Sequence, residues 1–111
     1  MIQVIIKEKG KDIDGFEVLG HADSAERGKD IVCAAVSVLT INTINTLTEL
    51  VKVDKNINFE ILEEGTYLDL DEDFPEEYRD HTQLVLRSFE LGIKSILSGN
   101  QDYIQLYYRE V

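Results

Sequence analysis

The run Ile2–Glu8 alternates, with Ile2, Val4 and Ile6 on one face, the period of a strand. Lys9-Gly10-Lys11-Asp12 reads as a turn. Phe16, Val18 and Gly20 then alternate with Glu17, Leu19 and His21, which predicts a second strand ending at His21 and hairpin pairing with the first. The segment Ala22 to Lys29 is small and charged, contains Gly28, and reads as a loop. Asp30 stands immediately before an apolar run, where an N-cap belongs. A helix is expected from about Ile31 to Leu50 or Val51. Its first half is apolar nearly all round, whereas a helix buried on one side needs only a stripe. It should therefore touch a sheet on one side and a second helix or a second subunit on another.

Asp54-Lys55-Asn56 interrupts this pattern. Ile57, Phe59 and Ile61 alternate with other residues, Glu64-Gly65 turns, and Leu68 and Leu70 alternate again, a second hairpin. The acidic stretch Asp69 to Glu77 holds the only proline, Pro75, suited to the first turn of a second helix. Val85, Phe89, Gly92, Ile93 and Ile96 mark that helix's buried stripe, and Gly99 and Asn100 end it. Tyr103–Arg109 alternates as a last strand. The order ββαββαβ predicts an α+β fold, a mostly antiparallel sheet with two packed helices, as one domain over residues 1–111.

Composition narrows the function classes. The 111 residues carry 22 acidic and 11 basic side chains, a net charge of −11. Nucleic-acid binding needs clustered cations, so a direct nucleic-acid partner is not expected, whereas the charge permits a basic partner or substrate. A single cysteine excludes an internal disulfide. Ile31 to Thr48 carry no charge, but Ser37, Thr40, Asn42, Thr43, Asn45, Thr46 and Thr48 would be costly in lipid. A buried helix is expected there, with no membrane partner. Met1 leads straight into Ile2 without a basic leader, so the cytoplasm is the expected compartment.

The candidate chemistry centres on Cys33 and His21. Placed just inside the helix, Cys33 would meet free backbone N–H groups and the positive end of the helix dipole, which favour an anion. A thiolate is a nucleophile, and His21 could take the thiol proton and later deliver it to a leaving amine. The N–H groups near Cys33 and Ala34 could hold an oxyanion. Against this, a lone cysteine in an apolar helix is commonly a core residue. At helical spacing Cys33, Ser37 and Thr40 share the more polar face, opposite Val32, Ala35, Val36 and Leu39.

Gly20-His21-Ala22 followed by Gly28-Lys29-Asp30-Ile31-Val32-Cys33-Ala34-Ala35-Val36-Ser37 closely resembles the signature of the bacterial ribosomal-processing cysteine proteases, Prp. The resemblance implies a Cys–His dyad endopeptidase with Cys33 as nucleophile and His21 as general base. Gly20, Asp30 and Ser37 match motif positions with supporting roles; Asp30 could cap the helix or orient His21. It further implies a homodimer that removes a short N-terminal extension from large-ribosomal-subunit protein twenty-seven, a basic substrate, cutting after a phenylalanine. The alternative class is a non-catalytic ribosome-assembly or interaction module with a structural cysteine.

No cofactor is called for. One cysteine with two distant histidines gives no zinc spacing, and His81 reads as a surface residue. Asp69, Asp71, Glu72, Asp73, Glu76 and Glu77 lack the calcium-loop pattern and read as a solvated acidic edge able to attract a basic substrate. The segment Ala22–Lys29 offers no apolar anchor, so it is expected to be mobile until substrate orders it and closes the dyad.

Overall fold

The computed structural model describes residues 1–20 and 27–111. Strands β1 (Ile2–Lys9), β2 (Asp12–Leu19), β3 (Ile57–Ile61), β4 (Gly65–Leu70) and β5 (Ile104–Glu110) form one sheet in the order β3-β4-β2-β1-β5. Every pairing is antiparallel except β1 with β5. Helices α1 (Arg27–Asn45) and α2 (Arg79–Leu97) share one core with the sheet, as the order ββαββαβ anticipated.

Gly10 takes a left-handed φ of 62° in the tight turn between β1 and β2. The second strand begins earlier than its alternation suggests, and a bulge explains why. Lys7 pairs with Gly15 but Glu8 pairs with Ile13, which leaves Asp14 unpaired. Only with that extra residue can both Ile13 and Phe16 point into the core, where they are 1% and 0% exposed. The backbone at the bulge is held by α2: Ile13 N–H donates to Gln83 Oε1 at 2.8 Å, and Gln83 Nε2 donates to the Ile13 carbonyl at 2.8 Å.

Helix α1 starts at Arg27, so the polar segment before the apolar run is already helical. Asp30 lies in the first turn and not at the cap, where its charge still suits the helix dipole. The reading of Arg27–Lys29 as loop is corrected in the same way: a helix can begin before its apolar stripe does. Val32, Val36, Thr40, Thr43 and Ile44 are buried. The threonine hydroxyls turn back onto their own helix, Thr40 to the Val36 carbonyl and Thr43 to the Leu39 carbonyl, both at 2.7 Å. That is how an apolar helix buries polar side chains without orphaned groups. The helix runs on as a wider π turn over Thr46–Val51 and stops where Lys52 takes a left-handed φ of 65°.

Pro75 precedes a 3-10 turn at Glu76–Tyr78 that leads into α2. Phe89 stacks on Phe16 with centroids 4.3 Å apart, tying α2 to β2. Gly92 gives close approach to α1, since a Cβ there would lie 2.7 Å from Leu39 Cδ2. Tyr108 donates from its hydroxyl to Glu90 Oε2 at 2.6 Å, and Arg87 Nη1 donates to Glu90 Oε1 at 3.0 Å. Arg87 also donates to the Lys11 carbonyl at 2.6 Å, so one cluster joins α2, β5 and the first turn.

At the other end of β2, Gly20 has φ of 84° and its N–H donates to the Glu64 carbonyl at 3.4 Å. The strand ends at Leu19, not at His21, because the chain turns at this glycine. A Cβ on Gly20 would sit 2.5 Å from the Met1 carbonyl oxygen. The second hairpin turns one residue earlier than expected: Leu62 and Gly65 exchange backbone hydrogen bonds of 2.9 and 3.3 Å, with Glu63 and Glu64 at the tip. Ile57 is buried, but Phe59 and Ile61 are 41% and 54% exposed, beyond the cover of the helices.

Two predictions test these constraints. Gly20→Ala should cost on the order of 1–3 kcal/mol from backbone strain, plus a steric penalty. Gly99→Ala, at φ of 82° with nothing within 4 Å, carries only the strain and should cost less. Equal losses in denaturant titrations would show that the Met1 contact does not constrain Gly20.

The second concerns Glu90. Burial pulls its carboxyl up, but hydrogen bonds from Tyr108 and Arg87 outweigh this and hold it below the usual range. Its contribution is present above the ordinary carboxyl value and is lost as pH falls through the lowered one. Burial and the Glu90 hydrogen bond push Tyr108 from 10.0 up to about 12, so its contribution is lost as pH rises through that interval. Tyr108→Phe should cost about 1–2 kcal/mol at neutral pH and flatten both limbs of the stability profile. An unchanged profile would mean the bond contributes nothing.

Candidate active site

Cys33 sits in the second turn of α1, one residue past the buried Val32. A step of about 100° per residue puts its side chain at the edge of the core, half-buried and packed against it. Because α1 starts at Arg27, Cys33 and Ala34 lie beyond the free N–H groups of the first turn. Their N–H groups serve the helix ladder, so the expected oxyanion role for them, and the placing of Cys33 in the first turn, are corrected.

The sulfur borders a small cavity of about 60 Å³ lined by Ile2, Val18, Gly20, Cys33, Val36 and Ser37. The end of β2, the start of β1 and one face of α1 therefore meet at the cysteine. Val18, Gly20 and Ser37 also line a second cavity of about 210 Å³, whose far wall is Ile61, Leu62, Glu63 and Gly65 from the second hairpin. The two cavities are neighbours that share these three residues. The far wall of the larger one follows from the pairing of Leu19 with Gly65 and of Val18 with Thr66.

Three of the motif residues, Gly20, Cys33 and Ser37, are thus gathered at one place. Asp30 is exposed in the first turn and is not among the residues lining the cleft. Thr40 lines the larger cavity, but its hydroxyl is committed to the Val36 carbonyl. His21 lies at residues 21–26, outside the described residues, as do the expected dyad separation and most of the expected substrate-ordered loop. The hairpin wall was not singled out in the sequence. The one available signal was Ile61, an apolar residue at the outer end of an edge strand.

The larger cavities lie elsewhere. One of about 360 Å³ is lined by Asn58, Glu60, Tyr67 and Asp69 with Ile57 and Phe59, and one of about 250 Å³ borders the acidic stretch. Two of the acids there are engaged: Asp12 pairs with Arg79 at 2.6 Å, and Asp69 pairs with the buried Lys7. Among the described residues no three His, Cys, Asp or Glu side chains converge as a metal site. His81 is exposed on α2.

The whole chain and its fold are similar to known proteins. The ribosomal processing cysteine protease Prp of Bacillus subtilis is 31% identical over 111 residues, covering 96% of each chain. The Staphylococcus aureus protein of the same name is 26% identical over 108 residues, covering 97% of each. The crystal structure of SMU.848 from Streptococcus mutans superposes with a TM-score of 0.79 at 26% identity, covering 100% of this chain and 96% of that one. The essential ribosomal processing protease Prp of S. aureus, solved in complex with a substrate peptide, shares the fold, with a TM-score of 0.82 at 22% identity over 98% of this chain and all of the other. The family model described as cysteine protease Prp matches residues 1–105, and with this match the chain belongs to that family of cysteine peptidases.

Proposed function

We propose that this chain is the endopeptidase that removes a short N-terminal extension from large-ribosomal-subunit protein twenty-seven, with Cys33 as nucleophile and His21 as general base. The observation that carries the reading is the half-buried Cys33 lining a small cavity together with Gly20 and Ser37. His21 takes the thiol proton, and the sulfur attacks the scissile carbonyl carbon. The protonated imidazole then gives that proton to the departing amine as the carbon–nitrogen bond breaks, leaving a thioester. Water, deprotonated by His21, hydrolyses the thioester and restores the thiol. The net charge of −11 draws in a basic ribosomal protein. The site of action is the cytoplasm, where ribosomal proteins are made and assembled.

The working unit is a homodimer. Ile31, Ala34, Val38 and Ile41 form an exposed stripe along α1 at alternating spacings of three and four residues, the pattern of a helix-pairing seam. No charge falls between Ile31 and Thr48, so this is a surface where two strongly acidic copies can meet without facing like charges.

The direct test is incubation with a peptide spanning the extension junction, read by mass. Cys33→Ala and His21→Ala should each abolish cleavage with folding intact, and the double variant should be scarcely worse than either. Losses that multiply would contradict a dyad. If Cys33 is only structural, the native thiol resists alkylation at neutral pH and no peptide is cut.

For the dimer, Val38→Glu should give a monomer in sedimentation at micromolar concentration. Leu91→Glu, at a site 66% exposed on α2, should leave the dimer intact. The reverse result would move the interface to α2.

A further inference from the structure

We infer that the free edge of β3 is a docking site for an extended peptide segment in which lysine or arginine alternates with apolar residues, added to the sheet beyond β3. This strand ends the sheet, and among the described residues only β4 pairs with it. Its register decides which backbone groups are left over. Leu62 and Gly65 exchange hydrogen bonds, and Asp71 N–H donates to the Asn56 carbonyl at 3.0 Å. Bonded and non-bonded pairs alternate along an antiparallel ladder. Between those two ends the bonded pairs are therefore Glu60 with Tyr67 and Asn58 with Asp69, and Ile57, Phe59 and Ile61 turn their N–H and C=O groups outward. Edge strands are ordinarily blunted by lysine, proline or a bulge. Ile57–Ile61 holds no lysine or proline, and its register with β4 is unbroken.

The side chains define what such a strand would carry. Successive residues of an added strand face opposite sides of the sheet. On the helix side they would meet Phe59, exposed because the helices do not reach it. On the other side they would meet Asn58 and Glu60, both exposed and backed by Asp69 and Tyr67 of β4. With Ile57, these residues line the cavity of about 360 Å³, which shares no residue with the two cavities at Cys33 and Ser37. Glu60 lies opposite Tyr67, and a carboxylate beside an aromatic ring suits an ammonium or guanidinium group. The flanks add to this: Asp54 precedes the strand, and Glu63 and Glu64 follow it, against Lys55 alone. A second copy paired here about a two-fold axis would bring both sets of acids together, so a cationic partner is favoured. The site owes nothing to the thiol chemistry and stands apart from the protease reading.

Hydrogen exchange reads the contact residue by residue. The full chain carrying Cys33→Ala, so that no probe is cut, is mixed with a fluorescein-labelled peptide of alternating lysine and valine, and its amides are followed by NMR. The Ile57, Phe59 and Ile61 amides should exchange fast in the free chain and about tenfold more slowly with saturating peptide. Those of Asn58 and Glu60, already bonded to β4, should change little. Binding, read by fluorescence anisotropy, should weaken about three- to tenfold when glutamine replaces the peptide's lysines, and both added salt and Glu60→Gln should shrink that difference. Phe59→Pro removes one outward N–H while leaving the bonds to β4 in place. It should weaken binding about tenfold, and more than Phe59→Ala, which keeps that N–H. Circular dichroism confirms that the variants fold. The inference is overturned if the peptide gives no protection at the three amides, or if a peptide with its lysines and valines in separate blocks protects them equally. Protection that grows with protein concentration in the absence of peptide would assign the edge to a second copy instead. Cleavage does not enter these readouts, so the protease reading stands or falls separately.

Discussion

Burial of Val32, Val36, Thr40, Thr43 and Ile44 in the core shared by the sheet and α2 sets the rotation of α1 about its own axis. Every other feature of the site is a consequence of that angle. One position past Val32 the thiol lies at the edge of the core near the end of β2, and one past Val36 Ser37 lies on the same side. The opposite flank carries Leu39, whose branch fills the gap at Gly92. A change of a fraction of a turn would bury the sulfur or swing it away from Gly20. The threonine hydroxyls bonded within the helix make this burial affordable, because no polar group is left to pull the helix off the sheet.

Much of this was readable from the chain. β1 and the interior of α2 carry strong periods, and the glycines at 10 and 99 stand where turns need left-handed backbone. The charge-free run of α1 announced a helix covered on more than one side. The misreadings have specific causes. The Asp14 bulge breaks the alternation of β2, so half the strand was hidden. Asp30 looked like a cap because the apolar stripe begins after it, yet a helix starts wherever its backbone bonds can form. Phe59 and Ile61 alternate as buried residues would, but β3 is an edge strand that the helices do not reach.

The site was legible in part. Cys33, Gly20 and Ser37 could be linked through motif spacing, and the fold gathers them. The far wall of the cleft could not be, because Leu62 and Glu63 arrive through pairing between β2 and β4, a long-range register that no local period encodes.

The parallel pairing of β5 with β1 has a further consequence for synthesis. Ile2 through Glu8 find their partners at Ile104 through Glu110, the opposite end of the chain. While the protein emerges from the ribosome, β1 can pair with β2 at once, but its other edge stays open until β5 is made, about a hundred residues later. The Tyr108–Glu90 bond likewise waits for that strand. Until then the nascent chain presents a bare, isoleucine-rich edge, and loss of β5 would leave that edge permanently open to pairing with other chains.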